Sequence, residues 1–232
     1  MSYAVLCTTG LAAEAKIARG AGFAVVVGGG NRPRTTALVE AAAPQATCLV
    51  SFGIAGALAP GLRPGDLILS TEVVEDDRRW LTSEAFRLLV REFGRQVGAT
   101  EGPVLGARVV VASEADKRRA WRETGAIAVD LESAVVARVS AALGIPFVVL
   151  RAIADPATRE LPPAALVPLR PDGKPQIGQV LASVMRRPQQ LRPLLGVARE
   201  TRRALGALAA PVRALNALLG SLELRHSGAD VI

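Results

Sequence analysis

The sequence predicts a three-layer α/β domain with a C-terminal helical, arginine-rich extension, and three observations lead there. Short apolar runs alternate with stretches of helical spacing from Tyr3 to Leu150, the order of a parallel or mixed sheet covered by helices. Half of the 232 residues are hydrophobic, mostly Ala, Val and Leu, while aromatics make up only 3%, which suits helices packed closely on a sheet better than a β-sandwich. A chain of this length buries one substantial core, so a single catalytic-type domain over residues 1–178 and a basic extension over residues 179–232 are expected.

The elements follow in order. Tyr3–Cys7 is an apolar strand ending in Thr8-Thr9-Gly10, and Leu11–Arg19 has helical spacing. Phe23–Val27 predicts a second strand, and Gly28-Gly29-Gly30-Asn31 a tight turn into a helix over Pro33–Ala43, with proline in the first turn, where its missing N–H is no loss. Thr47–Phe52 predicts a buried strand leading into a Gly53-Ile54-Ala55-Gly56 loop, and Leu67–Val74 and Ala107–Ala112 predict further strands with a helix over Ser83–Val97 between them. Ile127–Val129 reads as a strand; Leu131, Val135, Val139 and Leu143 then form an i, i+4 stripe that Gly144 ends, and Pro146–Leu150 is the next buried strand. Six prolines within residues 156–176 predict a loop or lid, and Gln179–Leu219 is helical by composition but broken at Pro188, Pro193 and Pro211.

Composition removes several function classes. Cys7 and Cys48 cannot form a disulfide framework and lack C-x-x-C spacing. The single histidine, His226, lies in a polar tail, so histidine triads and histidine metal sites are not expected, and acid-base work falls to carboxylates. Residues 186–232 carry eight Arg and three acids, a net +5 of the chain's +7, and no nucleic-acid reading motif accompanies that charge, so no nucleic-acid partner is expected. No long uncharged apolar run and no signal-type start occur, which predicts a cytoplasmic protein.

The chemistry concentrates at two places. In Ala128-Val129-Asp130-Leu131-Glu132-Ser133-Ala134 and Val149-Leu150-Arg151-Ala152-Ile153-Ala154-Asp155, acids stand where buried runs end, so two carboxylates can converge on one pocket. With Ser51–Pro60, continuing through Gly65–Leu69, these segments resemble the nucleoside phosphorylase and nucleosidase superfamily. There a GxAG loop, a hydrophobic-acid-hydrophobic-Glu segment and an Arg-Ala-x-x-Asp segment occur in this order. The resemblance covers roughly residues 3–158 and implies a nucleoside-phosphorylase-like α/β/α fold that cleaves an N-glycosidic bond.

The resemblance makes Asp155 the acid that protonates or hydrogen-bonds N7 of adenine, though an Asp-Pro pair also forms turns. It makes Glu132 the ligand of the ribose 2′- and 3′-hydroxyls; a glutamate at a helix start also complements the helix dipole. Gly53, Ile54, Ala55, Leu131 and Arg151 complete the expected substrate site, with Asp130 and Arg151 equally readable as a supporting charge pair. Glu14 matches the water-activating glutamate of the adenosylhomocysteine and methylthioadenosine nucleosidases, or is a solvent-facing helix residue. Gly28 and Gly29 with Arg32 and Arg34 are candidates for an anion site, and Ile54 stands where many relatives have Ser or Cys.

The arginine-rich tail, Asp155-Pro156 and Leu161-Pro162-Pro163 also resemble the hopanoid-associated phosphorylases, which implies removal of adenine from adenosylhopane. A bilayer-borne substrate would suit peripheral attachment to an anionic inner-membrane face through residues 186–219; the other reading is helices packed on the domain with Arg facing water. The alternatives are a soluble methylthioadenosine or adenosylhomocysteine nucleosidase and a non-catalytic membrane-surface binding protein. No metal or redox cofactor is expected; phosphate or water is the nucleophile, and the resemblance implies a homo-oligomer.

Overall fold

The computed structural model describes residues 3–82 and 84–227; the expected helix start at Ser83 and the end of the extension lie outside these residues. The chain forms β1 (Tyr3–Thr9), α1 (Ala12–Gly20), β2 (Ala24–Val27), α2 (Arg32–Ala42), β3 (Ala46–Ala57), β4 (Leu67–Glu75), β5 (Arg78–Leu81) and α3 (Glu84–Val97). It continues through β6 (Thr100–Gly106), α4 (Glu114–Thr124), β7 (Ala128–Asp130), α5 (Ser133–Leu143), β8 (Phe147–Asp155), α6 (Ile177–Arg186) and α7 (Leu191–Ser227). Helix ends follow local chemistry. Asn31 Oδ1 accepts the Arg34 N–H at 3.0 Å before α2, and Ser113 Oγ accepts the Asp116 N–H at 3.1 Å before α4. Gly125 and Gly144, at φ 71° and 68°, stop α4 and α5 in the left-handed conformation that glycine adopts without strain.

The eight strands make one mixed sheet. β2, β1, β3 and β8 pair in parallel, β8 pairs antiparallel with β4, and β4, β6 and β7 pair in parallel. β7 then pairs antiparallel with β3, so β3, β8, β4, β6 and β7 close a ring. Each of the five contributes to a cluster of buried Ala55, Ala57, Ile68, Val104, Ala128 and Ile153, small enough to fill a narrow barrel.

Alternating side chains send neighbouring strand residues to opposite faces. Cys7, Phe52, Leu69 and Leu150 pack with α1, α3 and α7, whereas Leu6, Leu49 and Val149 pack with α2 and α5. These are the three layers the sequence predicts.

Four expectations need correction. Gly53–Gly56 is not a loop but part of β3, paired with β8 from Gly53↔Arg151 to Gly56↔Asp155 with a register shift after Ala55. The strand expected at Ala107–Ala112 lies earlier, at Thr100–Gly106, and Val109 is 73% exposed. Its inward positions include Gly102 and Gly106, because a Cβ there would come within 2.6 Å of Ile127 and 2.7 Å of the Ala134 backbone, so close packing hid the strand from an apolar-run reading. β8 likewise extends past Leu150 to Asp155, buried along its whole length.

The tail is the fourth. Pro188 does interrupt it, but Pro193 sits in the first turn of α7, where a proline displaces no helical hydrogen bond, and Pro211 lies inside an unbroken helix. Packing holds α7 together around that proline: Leu208, Val212 and Leu215 are fully buried against the sheet.

A candidate active site at the end of the closed sheet

Glu14 reaches the site from the first turn of α1. Its Oε2 accepts the N–H groups of Gly10 and Leu11 at 3.0 and 2.8 Å, as a third-position glutamate does, and its Oε1 accepts the Ile54 N–H of β3 at 2.8 Å. It is 2% exposed, so the solvent-facing alternative does not describe it. Burial raises its pKa above the ordinary carboxylate value, against the opposing pull of these N–H donors and Arg151. Gly53 is required beside it: an added Cβ would overlap the Glu14 carboxyl and approach Arg151 Nη1 to 2.8 Å.

Glu132 occupies the N-cap position of α5 without capping it. Asp130 does that instead, its Oδ1 accepting the N–H groups of Glu132 and Ser133 at 2.8 and 2.7 Å. The Glu132 carboxylate is thus free to lie against Gly10, where a Cβ would come within 2.6 Å of Oε1. Burial, opposed by Arg151 and reinforced by Asp130 and Glu14, pushes its pKa up to about 8.

Arg151, with no exposed surface, sits beneath the acids. Its Nε donates to Asp130 Oδ2 at 2.7 Å, and its Nη2 donates to Ser51 Oγ at 2.5 Å and Ser133 Oγ at 3.1 Å and stands 4.0 Å from Glu132 Oε2. Burial works against its charge, but Asp130, Glu132 and Glu14 outweigh that and raise its pKa. Asp130 and Arg151 are therefore the supporting pair, holding the acids in place from below.

Asp155 ends β8 with its Oδ2 ion-paired to Lys117 of α4. Gly56 lets it approach β3, since a Cβ would lie 3.1 Å from Oδ2. Burial raises the Asp155 pKa although Lys117 pulls it down.

Glu14, Glu132 and Asp155 line one cavity of about 500 Å³, with Ile54, Ala55 and Leu131 between them and residues 165–169 of the proline-rich segment forming a wall. That volume suits a nucleoside-sized ligand. Gly29 also lines it, but Gly28, Arg32 and Arg34 do not. Arg32 pairs with Glu75, Arg34 is exposed, and Gly28 is needed because a Cβ would overlap Thr35. The anion site expected there does not form around this cavity.

Residues 4–168 match the Phosphorylase superfamily, more than half of the chain. The chain belongs to that superfamily. Within it, the chain is 28% identical over 157 residues to the 5′-methylthioadenosine/S-adenosylhomocysteine nucleosidase of Treponema pallidum, covering 50% of this chain and 58% of the relative. It is 31% identical over 157 residues to the nucleosidase of the same description from Anoxybacillus flavithermus, covering 54% of this chain and 62% of the relative. The chain thus spans about 60% of the length of the curated relatives it matches. The S-adenosylhomocysteine nucleosidase of Streptococcus pyogenes, solved with 5-methylthiotubericidin, superposes with a TM-score of 0.64 at 14% identity over 92% of this chain and 98% of that one, which confirms the fold.

On this superfamily fold the sequence reading missed Lys117, the only buried residue described for α4. The helix carries too many charges for an apolar stripe, yet Ser113-x-x-Asp116 at its start and Gly125 after it are start and stop signals. It also missed Gly10, whose need appears only once Glu132 is placed.

Proposed function

We propose that the protein is a nucleosidase that releases adenine from a 5′-substituted adenosine, with water as the nucleophile. The observation that carries this reading is the convergence of Glu14, Glu132 and Asp155 on one cavity. Breaking the glycosidic bond places positive charge on the ribose and negative charge on the base. Glu132 accepts the sugar hydroxyls and faces the developing cation, Asp155 delivers a proton to the base, and Glu14 takes one from water. Water is favoured over phosphate because Ile54 offers no polar side chain, Arg32 and Arg34 lie off the lining, and Arg108, which does line the cavity, is paired with Asp76.

The relatives described above support a methylthioadenosine or adenosylhomocysteine nucleosidase better than an enzyme of adenosylhopane. The adenosylhopane reading is the finer alternative, and one observation favours keeping it: α6 has no buried residue, and its Ile177, Leu181 and Met185 are 60%, 58% and 82% exposed beside Arg186 and Arg187. Such a face suits an anionic membrane surface. Among the described residues no helix is long and apolar enough to cross a membrane. Assembly as a homo-oligomer belongs to the same proposal, a second copy covering the exposed Val109 and Val110 at the cavity rim, and sedimentation equilibrium reads it.

Mass analysis of products from 5′-methylthioadenosine and from adenosylhopane, each with and without phosphate, tests the reading. Adenine and a free ribosyl product, independent of phosphate, are expected. A ribosyl phosphate would overturn water as nucleophile, and failure on both substrates would overturn the nucleosidase assignment.

A further inference from the structure

Helix α4 is a surface helix with one anomaly. Lys117 is its only buried residue, at zero exposure, and its ammonium spends its protons on three acceptors: Asp155 Oδ2, Pro156 O at 3.2 Å and Arg159 O at 2.9 Å. An ammonium is costly to bury even when paired, and an apolar side chain of similar length would dock the helix without that cost. The charge therefore needs a reason beyond packing. Its main partner is the residue assigned as the acid, and it takes only one of that residue's two oxygens; among the described residues Oδ1 accepts no hydrogen bond. Asp155 lines the cavity.

We propose that Lys117 is a positioning residue for the proton transfer. By anchoring Oδ2 it leaves Oδ1 as the oxygen that carries the exchangeable proton towards the base. The proposal rests on the nucleosidase reading and on Asp155 as its acid. In the transfer, the O–H bond of Oδ1 breaks, an N–H bond forms on the departing purine as the glycosidic electron pair moves onto it, and Asp155 is left as a carboxylate. Lys117 faces that carboxylate, so the product side of the step is an ion pair rather than a bare buried anion. Arg159 of the following loop and Glu200 of α7 are the other charged groups acting on Asp155, and they pair with each other.

The test compares two leaving groups in Lys117→Met, using 5′-methylthioadenosine, whose base must be protonated, and 4-nitrophenyl ribofuranoside, whose phenolate leaves without a proton. The expected result is a loss of about 100-fold or more in kcat on the nucleoside, with a much smaller loss on the nitrophenyl riboside and little change in KM. The high-pH limb of the nucleoside kcat profile should also move to higher pH, because removal of the cation takes away an interaction that lowers the Asp155 pKa. Equal losses on both substrates with an unmoved limb would overturn the proposal and leave Lys117 as a tether for the 156–159 turn. Should the Met variant fail to fold, Lys117→Gln keeps N–H donors for the carbonyls without the charge and is read in the same way. Wild-type protein inactive on both substrates would instead overturn the nucleosidase reading itself.

Discussion

Glu132 shows how one residue's role depends on its neighbours. A glutamate at a helix start ordinarily serves the helix dipole, but here Asp130 caps α5 and releases it. Glu132→Gln should therefore cost no stability, and should raise it at neutral and basic pH where a buried carboxyl with a pKa of about 8 is a burden, while lowering kcat and kcat/KM on a ribonucleoside, because its contact with the ribose hydroxyls strengthens in the transition state. The 2′-deoxy analogue already lacks part of that contact, so its loss should be smaller; equal losses on the two substrates would make Glu132 structural. The buried acids also predict a pH dependence of folding. Burial raises the pKa values of Glu14, Glu132 and Asp155, so the folded protein holds more protons than the unfolded chain above the ordinary carboxylate pKa. Stability of the ligand-free protein must then fall as pH rises from about 5 towards 8, by an amount on the order of a few kcal/mol, since a tenfold difference in proton affinity between the two states is worth about 1.4 kcal/mol. Urea midpoints at acidic, neutral and mildly basic pH measure this, and a midpoint that rises with pH over that interval would contradict it.

At the scale of elements, what was legible was what obeys periodicity. β1, β2, β4, α2 and α5 lie within a residue or two of the patterns read from the sequence, since each is an ordinary apolar run or a helix with ordinary start and stop signals. Three stretches do not. β6 hides behind Gly102, Pro103 and Gly106, and α4 is amphipathic only in presenting a lysine inward. The Gly53–Gly56 segment resembles a loop motif yet is a strand, because its glycines admit carboxylates rather than turn the chain. The ordered motifs pointed to Glu132 and Asp155 and a separate, shorter match to Glu14, and the three line one cavity, whereas Gly28, Arg32 and Arg34 lie off its lining and Gly28 is required by Thr35 whatever the ligand. Gly53→Ala tests this view of β3. The added methyl must displace Glu14 and press on Arg151, at a φ of 155° that already favours glycine. The expected cost is about 1–3 kcal/mol, as for overpacking, with activity falling further than stability. An alanine variant with wild-type turnover would show that Glu14 tolerates relocation and is not the base.

At the scale of the whole molecule, the question is where the basic extension ends and the core begins. α7 lies beyond the boundary that composition suggests at residue 178, yet Ala204, Leu208, Val212, Leu215 and Leu219 are at most 1% exposed and belong to the same cluster as β1, β3 and β8. Burying a Leu or Val side chain is worth about 1.5–3 kcal/mol, and a domain's whole stability is about 5–15 kcal/mol. A chain cut after Arg187 should therefore lose its cooperative urea transition, as followed by circular dichroism; a cut chain that still unfolds cooperatively would make α7 an accessory. With its central apolar side occupied in this way, α7 offers a membrane its exposed arginines, Arg192, Arg199, Arg202 and Arg213 among them, and at its start Leu191 and Leu195, 49% and 50% exposed. Apolar insertion would come mainly from α6, whose Ile177, Leu181 and Met185 are the more exposed. Binding to anionic vesicles should then weaken with salt, since screening at ordinary ionic strength acts over about 8–10 Å. It should also weaken when Leu181 and Met185 are both changed to Ser, with no loss of stability because neither is buried. Full-length protein that stays in the supernatant with anionic vesicles at low salt would end the membrane reading and leave the α6 face to a second copy of the chain, whereas binding that depends on both the salt and the two side chains would place the cavity wall at residues 165–169, which leads into α6, beside a lipid surface.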